Sequence, residues 1–371
     1  MITKVSKQAV KYIVLFFTIV VIMLYVPALL SFWFSPNDFF LMGFLTLAFP
    51  YTATILFLLC IFWFVAKPKV GFIVLMVLVL GFKNYKAIFA FNNEKEFVVE
   101  KPKNSLRIAT WNIQSFNGLS KNKEAKKNIK TEIQNSILKY KPDVVCLQEF
   151  NTSNLNESTN NIALFNKNYP YYFFSEDYQR KKNQYKSGCI IFSTLPIIKT
   201  GKIKYPIAES LIYADVLKDK DTIRVYTTHL QSFKFNKEDY DEIENVSQTK
   251  ELSSVASKNI FKKMRIAFKY RAAQTKIVKS ETDKSILPSI ICGDFNDVPA
   301  SNTYFTIKEN RQDVFLKTQF GIGRTFNSLA PTLRIDYIFP DKHFSIKQFD
   351  MIDENLSDHF MLITDLIISN H

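Results

Sequence analysis

Residues 289–296 read Ser-Ile-Ile-Cys-Gly-Asp-Phe-Asn, a short apolar run that stops abruptly on Asp294 and Asn296. An apolar run of that length bounded by glycine reads as a buried strand. Polar groups at strand ends are where α/β folds build their sites. Five further motifs of this kind lie outward from it: Thr110-Trp111-Asn112, Gln148-Glu149, Thr228-His229-Leu230-Gln231, Ile335-Asp336-Tyr337 and Ser357-Asp358-His359. The first four adjoin or follow apolar runs, and the last precedes one, FMLITDLII. A single Asp-His or Gln-Glu arises by chance in most chains, but six such motifs at strand ends point to one site.

The segments between the motifs alternate in character. Lys123 to Lys139 carries Ile129, Ile133 and Ile137 four residues apart, one face of a helix. Strand-like runs follow at Tyr171–Ser175, Cys189–Ser193, Ile212–Leu217 and Ile223–Thr228, and a second helix is predicted over Ser254 to Val278. This order predicts a mixed α/β domain with much antiparallel character. The charged, Ser-rich stretch from Phe235 to Val255 reads as a solvated loop or helix face. Phe261 to Arg271 would place Phe261, Met264, Ala267 and Phe268 on one helical face, either packed on a core or touching phosphates or lipid head groups.

Composition divides the 371 residues in two, within a length that suggests two to three units. The net charge is +14, of which the first 90 residues hold +6 with seven Lys and one acid, Asp38, in an otherwise apolar setting. The 35 Phe and 17 Tyr exclude a disordered chain, and four Cys exclude a disulfide scaffold. Cys146, Cys189 and Cys292 sit in apolar strand-like runs and read as small buried hydrophobes, with spacing that suits neither zinc nor a redox pair. Uncharged runs at 12–34 and 39–66 each exceed the roughly 20 residues needed to cross a bilayer as a helix. The first is also too long for a signal-peptide core. A third segment, 70–91, spans if Lys83 and Lys86 reach to the interface. The expected organisation is a transmembrane region 1–91, a linker 92–104 and a catalytic domain 105–371. Lys4, Lys7 and Lys11 before the first run, with Lys67 and Lys69 in the second loop, place those ends in the cytoplasm and the domain after three spans outside it. The expected location is therefore the cell membrane, multi-pass, with an extracytoplasmic catalytic domain.

The residue types suit phosphate ester chemistry. Hydrolysis of a phosphodiester needs a cation to neutralise charge, donors to the non-bridging oxygens and an oriented water. A set of carboxylates and amides without thiolates suits a hard ion, Mg²⁺ or Mn²⁺. With only four His in the chain, a His-rich zinc site is excluded.

In their order, spacing and residue types, TWN, QE, THL, GDFN, IDYIF and SDH resemble the endonuclease/exonuclease/phosphatase superfamily, the deoxyribonuclease I-like fold, over about Ser105 to Ile368. The resemblance implies a two-sheet β-sandwich flanked by helices, here preceded by three transmembrane helices. It implies that Glu149 is the principal metal ligand, helped by Asp358 and Asn112 directly or through water. Asp294 would orient and deprotonate the attacking water, and Asn296 would steady water or a phosphate oxygen. His359 would contact the scissile phosphate with Asp336 as its carboxylate partner, and His229 would be a second phosphate contact that assists the leaving group. Arg271 and Arg334 are further candidates for substrate contact. The expected function is a membrane-anchored, divalent-metal-dependent phosphoesterase, with the lipid bilayer as a partner and a lipid head group or nucleic acid as substrate; no protein partner is implied. THLQS is closer to the sphingomyelinase version of the histidine motif, whereas the +8 charge of the soluble part suits a surface nuclease. An inactive member serving as a receptor or scaffold would be expected to lack one of Glu149, Asp294, Asn296, Asp358 or His359, and all are present.

Overall fold

The computed structural model describes residues 4–119, 123–155, 157–180, 182, 184–249 and 254–369. Residues 250–253 of the charged stretch, His371, and the side chains of Lys4 and Lys7 lie outside the described residues.

The strands are β1 Ala90–Phe91, β2 Leu106–Asn112, β3 Val144–Ser153, β4 Tyr171–Phe174, β5 Tyr178–Arg180, β6 Tyr185–Ser193 and β7 Ile197–Lys204. They continue as β8 Ser210–Lys218, β9 Asp221–His229, β10 Ser289–Asp294, β11 Phe320–Gly321, β12 Asp336–Pro340, β13 Phe344–Ile352 and β14 Met361–Ile368. One sheet has the order β13-β14-β2-β3-β6-β4, with β5 added on β6, and the other β12-β10-β9-β8-β7. The pairs β2–β3 and β9–β10 are parallel, and the remaining pairs in these two sheets are antiparallel.

The sheets face each other across a core that joins Ile108, Cys146 and Ile191 to Ile212, Val225 and Ile290. Helices cover the outer faces. Ile129, Ile133 and Ile137 of α5 (Lys123–Lys139) pack on Trp111, Leu147 and Phe150. Val278 of α8 (Ser254–Asp283) packs on Tyr226 and Ile291. Central strands buried on both faces explain why β3 and β10 carry the unbroken apolar runs Val144–Leu147 and Ile290–Cys292. The cysteines are buried and free, as their apolar settings predicted. Of the two readings of the charged stretch, loop or helix face, the structure gives a helix over α7 (Lys237–Thr249).

Among the described residues two helices are long and apolar enough to cross a membrane: α1 (Lys4–Ala28), which with a following 3₁₀ turn gives the candidate span Gln8–Phe32, and α2 (Met42–Ala66). The third expected span is not one helix. It is divided into α3 (Pro68–Leu80) and α4 (Phe82–Ile88), bent by 56° at Gly81, where the Tyr25 hydroxyl crowds the backbone from α1. The three segments pack side by side. Tyr25 Oη donates to the Leu78 carbonyl at 2.9 Å, Trp63 Nε1 to Thr18 Oγ1 at 2.9 Å, and Lys11 Nζ to the Ala66 carbonyl at 2.8 Å.

The other end of this bundle is seated on the sandwich. Ser31 Oγ donates to the Ala300 carbonyl, Arg334 Nη2 to the Ala87 carbonyl at 3.0 Å, and Phe44 of α2 stacks on Phe261 of α8 at 4.6 Å. The expected linker, 92–104, lies along the sandwich: Asn92 bonds Gln319 and Leu316, and the buried Arg107 donates to the Val99 carbonyl at 2.7 Å. Arg107 also pairs with Asp365 in β14, so a buried charge is satisfied by folding this segment down.

Candidate active site

Both sheets end at the same edge of the sandwich, and the polar motifs meet there. In the second sheet, Asp294 closes β10 and lies in register with His229 on one side and Asp336 on the other, so three strands set these side chains in one row. Gly293 permits the close strand approach: its φ is 133°, and a Cβ there would run into the Thr228 carbonyl. In the first sheet, Asn112 ends β2 opposite Gln148 of β3. The β3–β6 register shifts between Leu147 and Phe150, and Glu149 in that irregularity has φ 53°, which turns its side chain out of the pleat. Ser357 Oγ donates to the Asn112 carbonyl at 2.7 Å and Trp111 Nε1 to the His359 carbonyl at 2.8 Å, fixing Asp358 and His359 beside β2.

Asp294 is at the centre. One oxygen accepts from Asn112 Nδ2 at 3.0 Å and the other from the Asn296 backbone at 2.8 Å. His229 Nε2 is 3.6 Å from this carboxylate and His359 Nε2 3.7 Å. His359 Nδ1 pairs with Asp336 at 2.9 Å, and His229 Nδ1 is 3.4 Å from Glu209. Burial would lower the pKa of each imidazole. Glu209, Asp294 and Glu149 outweigh it for His229, and Asp336 and Asp294 for His359, so both are pushed up to about 10 and are cationic at neutral pH. Burial raises Asp336 to about 6 against the opposing pull of His359. Burial also raises Asp358, with the negative charges of Glu149 and Asp294 adding to it.

These groups line a cavity of about 490 Å³. Of the residues singled out in the sequence, Asn112, Glu149, His229, Asp294, Asn296, Asp358 and His359 line it, and Asp336 stands behind His359. Arg271 and Arg334 do not reach it. Both are 1% exposed and are spent on structure: Arg271 donates to the Gln231 carbonyl and pairs with Asp297, and Arg334 pairs with Asp313 and holds Ala87. As buried guanidiniums they serve the loops that carry the site rather than a ligand. Asn296 directs its amide to the Leu230 carbonyl at 2.9 Å, so it also braces the histidine loop.

Several site residues had no signal of their own. Gln114 donates to Asp358 at 3.0 Å and Ser115 to Glu149 at 3.5 Å, from a turn in which residues 114–116 all have positive φ. Glu209 and Phe326, whose ring lies 4.8 Å from His359, come from segments with no motif. Leu47, from the apolar helix α2, also lines the cavity.

A hard divalent cation fits this donor set. The Glu149 side chain keeps 35% exposure on the cavity and meets only long contacts, from Asn112 at 3.4 Å and Ser115 at 3.5 Å. The Asp358 carboxylate lines the same cavity, beside Glu149 and Asn112. Asp294, Asp336 and His359 also bring potential ligand atoms within 4.8 Å of one another.

A profile of the endonuclease/exonuclease/phosphatase family matches residues 109–359, and one for a domain of unknown function matches residues 11–88. Among solved structures, an endonuclease/exonuclease/phosphatase from Beutenbergia cavernae is 19% identical with a TM-score of 0.50, covering 72% of each chain. The human Nocturnin catalytic domain, solved with a bound sulfate anion, is 20% identical with a TM-score of 0.50, covering 72% of this chain and 94% of that one. At these identities the likeness concerns the fold. No curated protein matches the chain. With its profile matched over 109–359, more than half of the chain, and every motif at the cavity, the chain belongs to the endonuclease/exonuclease/phosphatase family.

Proposed function

We infer that the chain is a membrane-anchored, divalent-metal-dependent phosphoesterase that hydrolyses a phosphodiester by attack of water. The observation that carries this reading is the setting of Asp294, an anchored carboxylate flanked at 3.6 and 3.7 Å by two cationic imidazoles. Asp294 orients a water and takes its proton as the oxygen bonds to phosphorus. His359, held protonated by Asp336, donates to a non-bridging oxygen. His229, held protonated by Glu209, gives its proton to the leaving oxygen as the ester bond breaks. Asn296 holds the histidine loop and steadies water or phosphate. Glu149, with Asn112 and Asp358 beside it, would hold Mg²⁺ or Mn²⁺, which when bound neutralises the charge on the phosphate.

Residues 1–91 act as the anchor, 92–104 as a connection strapped to the sandwich, and 105–371 as the catalytic unit. The bundle's geometry supports an extracytoplasmic site. Lys11 meets Ala66, next to Lys67, at one end, while Ser31 and Ala87 meet the sandwich at the other. If α1 and α2 cross the bilayer, α3 and α4 together return to the sandwich side, and the lysine-bearing end is cytoplasmic.

Asp294→Asn tests the mechanism. Its kcat on bis-p-nitrophenyl phosphate should fall at least about 10²-fold, the scale of a positioned base, with KM little changed. Retained turnover would overturn the assignment.

A further inference from the structure

The cavity that holds the acidic and histidine groups is walled in part by a helix apolar enough to lie in a bilayer. Leu47 of α2 lines it and packs with Val298, Phe326 and Ile335, and Phe326 in turn lies against His359. One side chain therefore separates the helix from an imidazole that faces Asp294. The contact is built in. Gly43, one turn earlier, lies under the ring of Phe268, where a Cβ would approach to 2.5 Å, and Tyr51, one turn later, bonds Thr332 at 3.3 Å.

The height of Leu47 in a membrane follows from helix geometry. Counting back from Ala66, about 20 residues at 1.5 Å each cover roughly the 30 Å hydrocarbon core and end at Leu47. The same count on α1 from Lys11, which is level with Ala66, ends at Ser31, where the sandwich begins. Two helices thus put the boundary between hydrocarbon and head groups at the cavity wall. Lys83, Lys86 and Lys308 gather with Phe32 and Phe305 around another cavity at this junction, the arrangement of long cationic side chains at a head-group layer. Two exposed leucines also line the acidic cavity: Leu119 and Leu329 are 42% and 46% exposed.

We propose that the substrate is a phosphate ester still held in the bilayer by its hydrocarbon part, presented to the Asp294 cavity along α2 with Leu47 as the contact between bilayer and site. This rests on the hydrolytic reading above and names its substrate class. The polar ester enters the histidine and carboxylate end, and the hydrocarbon stays against α2 near Leu47 and Tyr51. Water supplies the oxygen that bonds to phosphorus, the ester P–O bond breaks, and the leaving oxygen takes a proton.

The test uses the full-length chain in phosphatidylcholine–phosphatidylglycerol proteoliposomes with Mg²⁺. The first arm is a series of soluble alkyl p-nitrophenyl phosphodiesters, methyl to hexyl, with the wild type. Each added methylene should raise kcat/KM by up to about fourfold, the value of full burial. The second arm compares release of head group from the vesicle lipids with hydrolysis of their short-chain soluble analogues, which separates a bilayer source from a free one; the lipid should be favoured at least tenfold. Leu47→Asn should lower that ratio at least tenfold. Plasmid DNA is the third arm and should be the poorest substrate. A flat alkyl series with the diesters still cleaved, or DNA preferred to lipid, would overturn the bilayer assignment and leave the hydrolase standing. No metal-dependent hydrolysis of any arm would overturn both. The wild-type series decides the matter even if Leu47→Asn fails to fold.

Discussion

The two histidines make pH the sharpest probe at the scale of single residues. Each has a folded pKa of about 10, above the usual value near 6.5. The stability each adds is therefore complete below about pH 6.5 and is lost as pH rises through about 10. Thermal unfolding followed from pH 6 to 10.5 should show Tm falling across that window. Activity should decline on the same alkaline limb as the imidazolium donors disappear. Asp336→Asn removes the charge that raises His359 most, so the limb should move to lower pH; a pH–rate profile checks this, and an unmoved limb would refute the pairing. Glu149→Gln keeps the size and removes a charge from a side chain with only long contacts. Mg²⁺ affinity measured by calorimetry and turnover should both collapse, with Tm changing little.

At the scale of elements, the contact between α2 and α8 decides how the site is assembled. The face of α8 carrying Ala267 and Phe268 is buried, and Phe261 stacks on Phe44. Of the face Phe261, Met264, Ala267 and Phe268, only Ala267 and Phe268 are buried, while Phe261 stays 42% exposed and meets an apolar helix rather than the sandwich core. Gly43→Leu would drive a side chain into the Phe268 ring, an overpacking worth about 1–3 kcal/mol. A lower unfolding temperature and faster proteolysis between residues 92 and 104 in detergent should follow; unchanged values would show that the helices separate at no cost. The broken third helix belongs to the same scale. Its 13 and 7 residues could be read as a marginal span because apolar length alone does not reveal a bend. The bend is located by Tyr25 and Tyr85, whose hydroxyls meet at 2.7 Å from distant parts of the chain.

For the whole molecule, topology follows from which end of the bundle carries the sandwich. A reporter fluorescent only in the cytoplasm, fused after His371, should be dark, because Ser31 and Ala87 meet the sandwich at the end opposite Lys11 and Lys67. A bright fusion would reverse the side of the catalytic unit and leave its chemistry unaffected. The buried pair of Arg107 and Asp365, with the Val99 carbonyl on the same guanidinium, makes the connecting segment part of the folded unit. The apolar helices and the site are thus held in one arrangement rather than joined by a free tether.

The sequence alone determined the central strands with the polar residue at their ends and the two long apolar runs, because each is written in local patterns of hydrophobicity that backbone geometry converts directly into elements. It therefore supplied Asn112, Glu149, His229, Asp294, Asn296, Asp358 and His359, which line one cavity. Pairing between elements was decided by tertiary structure. Glu209 stands beside His229, and Gln114 beside Asp358, through strand register and a left-handed turn that no local pattern encodes. Arg271 and Arg334 looked like ligand contacts because a guanidinium near a motif is equally suited to bind phosphate or to hold a loop. Only packing shows that both are buried against carbonyls and carboxylates. Leu47 is the furthest case: 247 residues before Asp294 in the chain, it becomes a wall of the same cavity because the helix that carries it docks on the sandwich.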